Sequence, residues 1–200
     1  MVHKTRRSVN TRRESLEFSN EDTKKIVSRV ASDTQDELLA HSLSFSPTAL
    51  SHIRRIISAG GSIITDTQLL ADSLDAALIS GTQAKVKCFI DEPFVIADAE
   101  KRRATRAEVA VDMALSEQGA KLFVMGSAPS ALGRLLLHRR HEPLTDVCVL
   151  CTVNGFAGVL QLKEKLRESD MAYIMTRGRN GSTQAAVTVL EDIIKVLQGK

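Results

Sequence analysis

The chain has 200 residues, 43% of them apolar, and 27 Lys and Arg against 24 Asp and Glu give a formal charge of +3. That apolar content excludes a wholly disordered chain and supports one domain with a sizeable core. No run of about 18 apolar residues occurs and no apolar segment follows the basic start, which argues against a membrane span or secretory leader and for a cytoplasmic protein. The charge is uneven: Lys4, Arg6, Arg7, Arg12 and Arg13 stand in residues 1–13 with no acid, leaving 22 bases against 24 acids in the rest. Residues 1–13 therefore read as a basic arm and residues 14–200 as the folded domain.

Ser19 and Asp22 make a capping-box-like start for a helix to about Ala31, with Ile26, Val27 and Val30 on one face. Ser46 and Pro47 open a second helix, which Gly60 ends. Ser62–Thr65 is a short strand, and Asp66 to Leu74 a further helix. Lys85–Ile90 reads as a strand and Asp98–Gln118 as one long helix, ended by Gly119, with Lys101, Arg102, Arg103 and Glu108 on its outer face. Within it Arg102 and Arg106 fall one turn apart and are expected to share a face, with Thr105 beside them. Apolar strands at Lys121–Met125, Val147–Cys151 and Ala172–Thr176 then alternate with helices at Ser130–His138, Val159–Arg167 and Thr183–Leu197. Strands too apolar to leave one face in water, alternating with helices, predict a three-layer α/β domain with a mostly parallel sheet.

Cys88, Cys148 and Cys151 are odd in number and unevenly spaced, which suits a reducing compartment rather than a disulfide framework. The C-x-x-C of Cys148 and Cys151 lies inside an apolar strand and reads as two buried thiols. Zinc would need two further ligands, and the histidines at 3, 41, 52, 138 and 141 lack companion spacing. With six Phe, one Tyr and no Trp, aromatic stacking groups are scarce, which argues against nucleic acid as a partner.

Three polar, glycine-containing turns follow strands: Met125–Ser130, Cys151–Gly158 and Thr176–Thr183. Ligands of parallel sheets collect at such strand ends, where helices present free N–H groups. Neither the dinucleotide pattern G-x-G-x-x-G nor the triphosphate-loop pattern G-x-x-x-x-G-K is present. Arg177 and Arg179 flank Gly178; they suit bidentate binding of carboxylates or phosphates, or else are two surface bases.

Together these segments resemble the precorrin-8X methylmutase family, including its cobalt-precorrin-8 branch. Gly126-Ser-Ala-Pro-Ser-Ala-Leu132 is similar to the family's G-N-A-P-T-A-L. Val153 to Lys163 is similar to P-V-G-F-V-G-A-x-E-S-K, and Arg177-Gly-Arg-Asn-Gly-Ser-Thr183 to R-G-R-x-G-G-S. Phe45-Ser46-Pro47, Ile64-Thr-Asp66 and Thr105-Arg106 resemble the family's F-S-P, strand-end aspartate and T-R. The resemblance implies a homodimeric Rossmann-like fold and an isomerase of cobalamin biosynthesis, moving a methyl group from C11 to C12 of a corrin precursor with no nicotinamide or metal cofactor. Such a substrate carries many acetate and propionate groups, which suits the arginine-bearing turns and the amide-lined loops.

The family's R-V-I-H-A-T-G-D looks like Arg29-Val-Ala-Ser-Asp-Thr-Gln-Asp36, so Ser32 stands at the family's catalytic histidine and Gln35 at its glycine. The E-S-K string has become Gln161-Leu-Lys163. By the same resemblance Ser15, Arg29 and Arg106 correspond to substrate contacts, joined by Arg177 and Arg179 for peripheral carboxylates. Serine is a poor acid at neutral pH; Asp33, Asp36, solvent or a folded-back His41 would have to serve, or the protein binds a corrinoid or related tetrapyrrole without the methyl shift.

Overall fold

In the structure, a computed structural model, residues 21–155 and 157–200 are described. The basic arm, Ser15 and Ser19 lie outside these residues. Helix α1 (Glu21–Thr34) and short α2 (Glu37–Ser42) lead into β1 (Leu43–Phe45), followed by α3 (Ala49–Ala59), β2 (Ser62–Thr65), α4 (Gln68–Ser73), α5 (Ala76–Ser80) and β3 (Lys85–Cys88). The chain continues through α6 (Pro93–Arg102), α7 (Arg106–Ser116), β4 (Lys121–Met125), α8 (Pro129–His141), β5 (Val147–Cys151), α9 (Ala157–Glu168), β6 (Ala172–Thr176) and α10 (Thr183–Leu197). The described strands form one sheet in the order β1-β6-β5-β4-β2-β3. All pairings are parallel except β1 with β6.

Alternation along the strands divides the core in two, as a pleat with both faces covered requires. Ile63, Leu122, Val124, Cys148, Leu150 and Ile174 face one layer, with α1, α3 and α10 packed against them. Ile64, Phe123, Met125, Val149, Cys151 and Met175 face the other, under α6, α7, α8 and α9. Each fully buried side chain of this size contributes about 1.5–3 kcal/mol relative to exposure. The three-layer Rossmann-like architecture is thus present, and Cys148 and Cys151 are buried free thiols. Among the described residues no helix is long and apolar enough to cross a membrane.

Four local expectations are corrected. The helix expected over 98–118 is two helices: Arg103 takes φ 52°, and Thr105 opens α7 with a capping box in which its side chain accepts from Glu108 N–H while Glu108 accepts from Thr105 N–H. Arg102 and Arg106 consequently do not share a face; Arg102 pairs with Asp98 and Asp112, Arg106 with Asp91. Ser46 does not cap the second helix, because its hydroxyl accepts from Tyr173 N–H at 2.8 Å and so serves β6. Finally, β1, α2 and α5 are short elements the pattern did not announce.

Gln35 adopts φ 53° just after α1. A side chain in this left-handed region is strained by its Cβ, whereas glycine is not. Gln35→Gly is expected to stabilise the protein by about 1 kcal/mol, read as a higher urea midpoint at unchanged slope. A lower midpoint would show that the Gln35 side chain makes compensating contacts.

Candidate functional site

The carboxyl ends of β2 and β4 are joined by one side chain. Asp66 Oδ2 accepts from the N–H groups of Gly126 at 3.0 Å, Ser127 at 2.8 Å and Ala128 at 2.8 Å. These amides open α8 and would otherwise form an anion site. The expectation that this turn offers its amides to substrate acids is therefore corrected: the protein's own carboxylate already occupies them. Burial raises the Asp66 carboxyl above the usual range, outweighing the lowering effect of the three N–H groups. Its second oxygen, Oδ1, and Thr65 Oγ1 are buried with no hydrogen-bond partner among the described residues.

The turns after β5 and β6 interlock. Thr152 Oγ1 donates to Ser182 O at 2.7 Å, and Ser182 Oγ accepts from Ala185 N–H at 3.0 Å to cap α10. Gly181, at φ +136°, lies so near this strand end that a Cβ would stand 1.9 Å from Thr152 O. Lys163 reaches inward from α9, only 2% exposed, and donates to Thr176 Oγ1 at 3.0 Å, Gly178 O at 3.2 Å and Asn180 O at 3.5 Å. Its ammonium thus clasps the loop that carries Arg177 and Arg179, with neutral oxygens as acceptors. Burial lowers the Lys163 pKa and pushes the nearby Cys151 thiol up to about 11, leaving that thiol protonated and inert at neutral pH.

Beside these turns a cleft of about 570 Å³ opens between α7, α8 and α9. Pro129, Leu137, Val159 and Leu162 give it apolar walls, and Glu108, Ser130 and Arg134 add polar groups. Apolar walls with a few placed polar groups, at the strand ends of a parallel sheet, are the usual form of a small-molecule site. The Thr105 and Ser130 hydroxyls meet at 3.0 Å on its rim. Behind it Asp112 collects three donors: Arg134 through Nε at 2.6 Å and Nη2 at 2.9 Å, Arg102 at 2.7 Å and His138 Nε2 at 2.6 Å. Burial works to raise the Asp112 carboxyl, but hydrogen bonds from Arg134, His138 and Arg102 outweigh it and hold it at about 2. Among the described residues no three His, Cys, Asp or Glu side chains are grouped as metal ligands would be.

The candidate residues read from the sequence are distributed elsewhere. Ser15 is outside the described residues. Arg29 lies on α1 with Nε 3.7 Å from Asp192 Oδ1, a fully buried carboxylate of α10 that also meets Lys195 at 3.0 Å. Ser32 is exposed near the end of α1. Its neighbour Asp33 faces Lys195 at 3.5 Å, and Asp36 caps α2 by accepting from Leu39 N–H at 2.8 Å. Arg177 donates to His41 O at 3.1 Å and, with Arg179, is exposed on the β6 loop. Arg106 is exposed at the start of α7, 3.1 Å from Asp91. The structure therefore brings Arg177 beside α2 on the β1 edge, whereas none of Arg29, Ser32, Arg106, Arg177 and Arg179 lines the cleft. Sequence reasoning missed Arg134, Asp112 and the inward role of Lys163. Arg134 and His138, one turn apart in α8, were a legible signal for a shared acid, but not for which acid.

The fold defines a Rossmann-like α/β protein, and the cleft is its candidate small-molecule site. Residues 4–196 match the family model described as precorrin-8X methylmutase. The chain is 31% identical over 170 residues to cobalt-precorrin-8 methylmutase of Salmonella typhimurium, covering 84% of this chain and 79% of the relative. It is 31% identical over 176 residues to cobalt-precorrin-8 methylmutase of Methanothermobacter thermautotrophicus, covering 88% and 81%. The solved precorrin-8X methylmutase from Thermus thermophilus is 25% identical and superposes with a TM-score of 0.79, covering 94% of this chain and 93% of that one. The chain belongs to the precorrin-8X methylmutase family.

Proposed function

We propose that the protein is an isomerase that moves a methyl group from C11 to C12 of a corrin precursor, acting as a homodimer. The supporting observation is that two family-like turns, carrying Ser130 and Gly158, form walls of the strand-end cleft. The shift is intramolecular: the methyl leaves C11 and bonds to C12, no atom is gained or lost, and no second substrate is consumed. The chain's part is to bind the acid-fringed ring, exclude water and place a proton on a ring atom so that the macrocycle better accepts electron density. By family position Arg29, Arg106, Arg177 and Arg179 are assigned to the peripheral carboxylates and Ser15 and Ser32 to hydrogen bonding, although the described ones lie outside the cleft.

Ser32 favours a second reading, corrinoid binding without turnover, because a hydroxyl stands at the family's histidine position. Anaerobic incubation with precorrin-8 or its cobalt form, followed by absorbance, separates the two. We expect slow conversion by the wild type and an increase of about 10²- to 10⁴-fold in Ser32→His, the usual contribution of a general acid. Binding without any conversion by the wild type supports the second reading. Wild-type turnover equal to that of the variant places the proton donor elsewhere, and no binding by either removes both readings.

A further inference from the structure

We propose that Arg134 is a carboxylate-recognition residue: the cleft between α7, α8 and α9 takes one acid-bearing edge of an otherwise apolar ring ligand, and Asp112 orients the guanidinium for that contact. The inference rests on the tetrapyrrole reading above and adds to it a residue outside the family-like motifs.

The geometry of the pair carries the argument. Asp112 takes Nε and Nη2 of Arg134 at 2.6 and 2.9 Å, one edge of the fork, which leaves Nη1 with no partner among the described residues. A guanidinium held along one edge is fixed in plane and direction, so little freedom is lost when its remaining N–H groups meet an acid. Asp112 is also divided among Arg102 and His138, so it holds Arg134 without being dedicated to it. The opposing charge is restrained: Glu108 Oε2 is tied to Thr105 N and Oγ1, each at 2.8 Å, beside Ser130.

The rest of the lining says what carries the acid. Pro129, Leu137, Val159 and Leu162 offer hydrocarbon, and Leu137 is 40% exposed although it lies in a helix. A small hydrophilic acid would leave these walls wet; a carboxylate on a broad apolar ring covers them. Gly133, between Ser130 and Arg134, leaves the cleft wide, since a Cβ there would meet only Leu162 Cδ2 at 3.7 Å.

Two probes test this, cobyrinic acid and its methyl ester, which share a ring and differ in charge. In absorbance titrations the wild type is expected to bind the acid more tightly than the ester. Arg134→Met should weaken acid binding about 10- to 100-fold, as loss of a charged hydrogen bond does, while ester binding stays within about threefold; Arg134→Lys should fall between. Gly133→Leu leaves the Arg134–Asp112 pair in place but fills the cleft. It should weaken binding of both probes by about tenfold or more while melting no lower than the wild type, because leucine is the better helix former. Equal loss of acid and ester in Arg134→Met would make Arg134 a structural residue and overturn the inference, as would acid binding unchanged from the wild type; in both cases the corrinoid reading stands. Binding of neither probe by the wild type would remove that reading and the inference together.

Discussion

Gly181→Ala is expected to destabilise the protein by about 3–5 kcal/mol, as large a loss as a single methyl group commonly produces. Two independent effects act at this position. The added carbon would lie 1.9 Å from Thr152 O, and the backbone holds φ +136°, a conformation open to glycine and closed to alanine. Thr152 does not yield cheaply, since it is fully buried and its hydroxyl is bonded to Ser182 O. Gly178→Ala in the same loop is the control. That position has φ +66° with nothing within 4 Å, so only the left-handed strain of about 1–2 kcal/mol applies. Urea denaturation of the two variants checks this, and a Gly181→Ala loss no greater than that of Gly178→Ala would contradict the interlocked β5 and β6 turns.

Asp66→Ala is the second large effect, with an expected loss of about 3–5 kcal/mol. Three consecutive N–H groups lose their acceptor, each worth about 1–3 kcal/mol when left unmade, and the total falls short of the sum because Ser127 is exposed enough for water to reach its amide. Asp66→Asn keeps an acceptor in the same place and should retain most of the stability. The two also differ in pH dependence. Because burial holds the Asp66 carboxyl above the usual range, the folded state binds this proton more tightly than the unfolded state. The associated stability is fully present below the ordinary carboxylate range and is lost as pH rises through the folded value. Asp66→Asn cannot titrate, so its stability relative to the wild type should improve as pH rises over that window. Parallel stability–pH curves would mean that the three N–H bonds cancel the burial effect.

How much of this was legible in the sequence depends on how local each cause is. The strands Ser62–Thr65, Lys121–Met125, Val147–Cys151 and Ala172–Thr176 and the helix Thr183–Leu197 were readable to the residue, because their apolar runs are bounded by polar turns. The break at Arg103 was hidden by the lack of glycine or proline there, although Thr105 and Glu108 spelled a capping box. Strand β1 is three residues long and exists because β6 lies beside it, a fact stored far along the chain. Asp66 could be placed at a strand end, but its filling of the Gly126–Ala128 amides spans 60 residues. The same holds for the cleft. Its Ser130 and Gly158 turns were visible as motifs, whereas Arg134 became meaningful once α7 set Asp112 against α8.

The place of β1 also orders events during synthesis. Its backbone partner, Ala172–Thr176, leaves the ribosome roughly 130 residues after Leu43–Phe45, a delay of about 6–25 s at ordinary rates of translation. α1 waits still longer, since apart from the neighbouring α2 its main packing partner is α10, the last of the described elements. The parallel strands β2 to β5 can begin to assemble while the amino-terminal segment is still without its partners. The amino-terminal segment that contains Ser32 therefore consolidates late in biogenesis, and a nascent chain halted before β6 would present β1 as an unpaired edge to chaperones and to other chains.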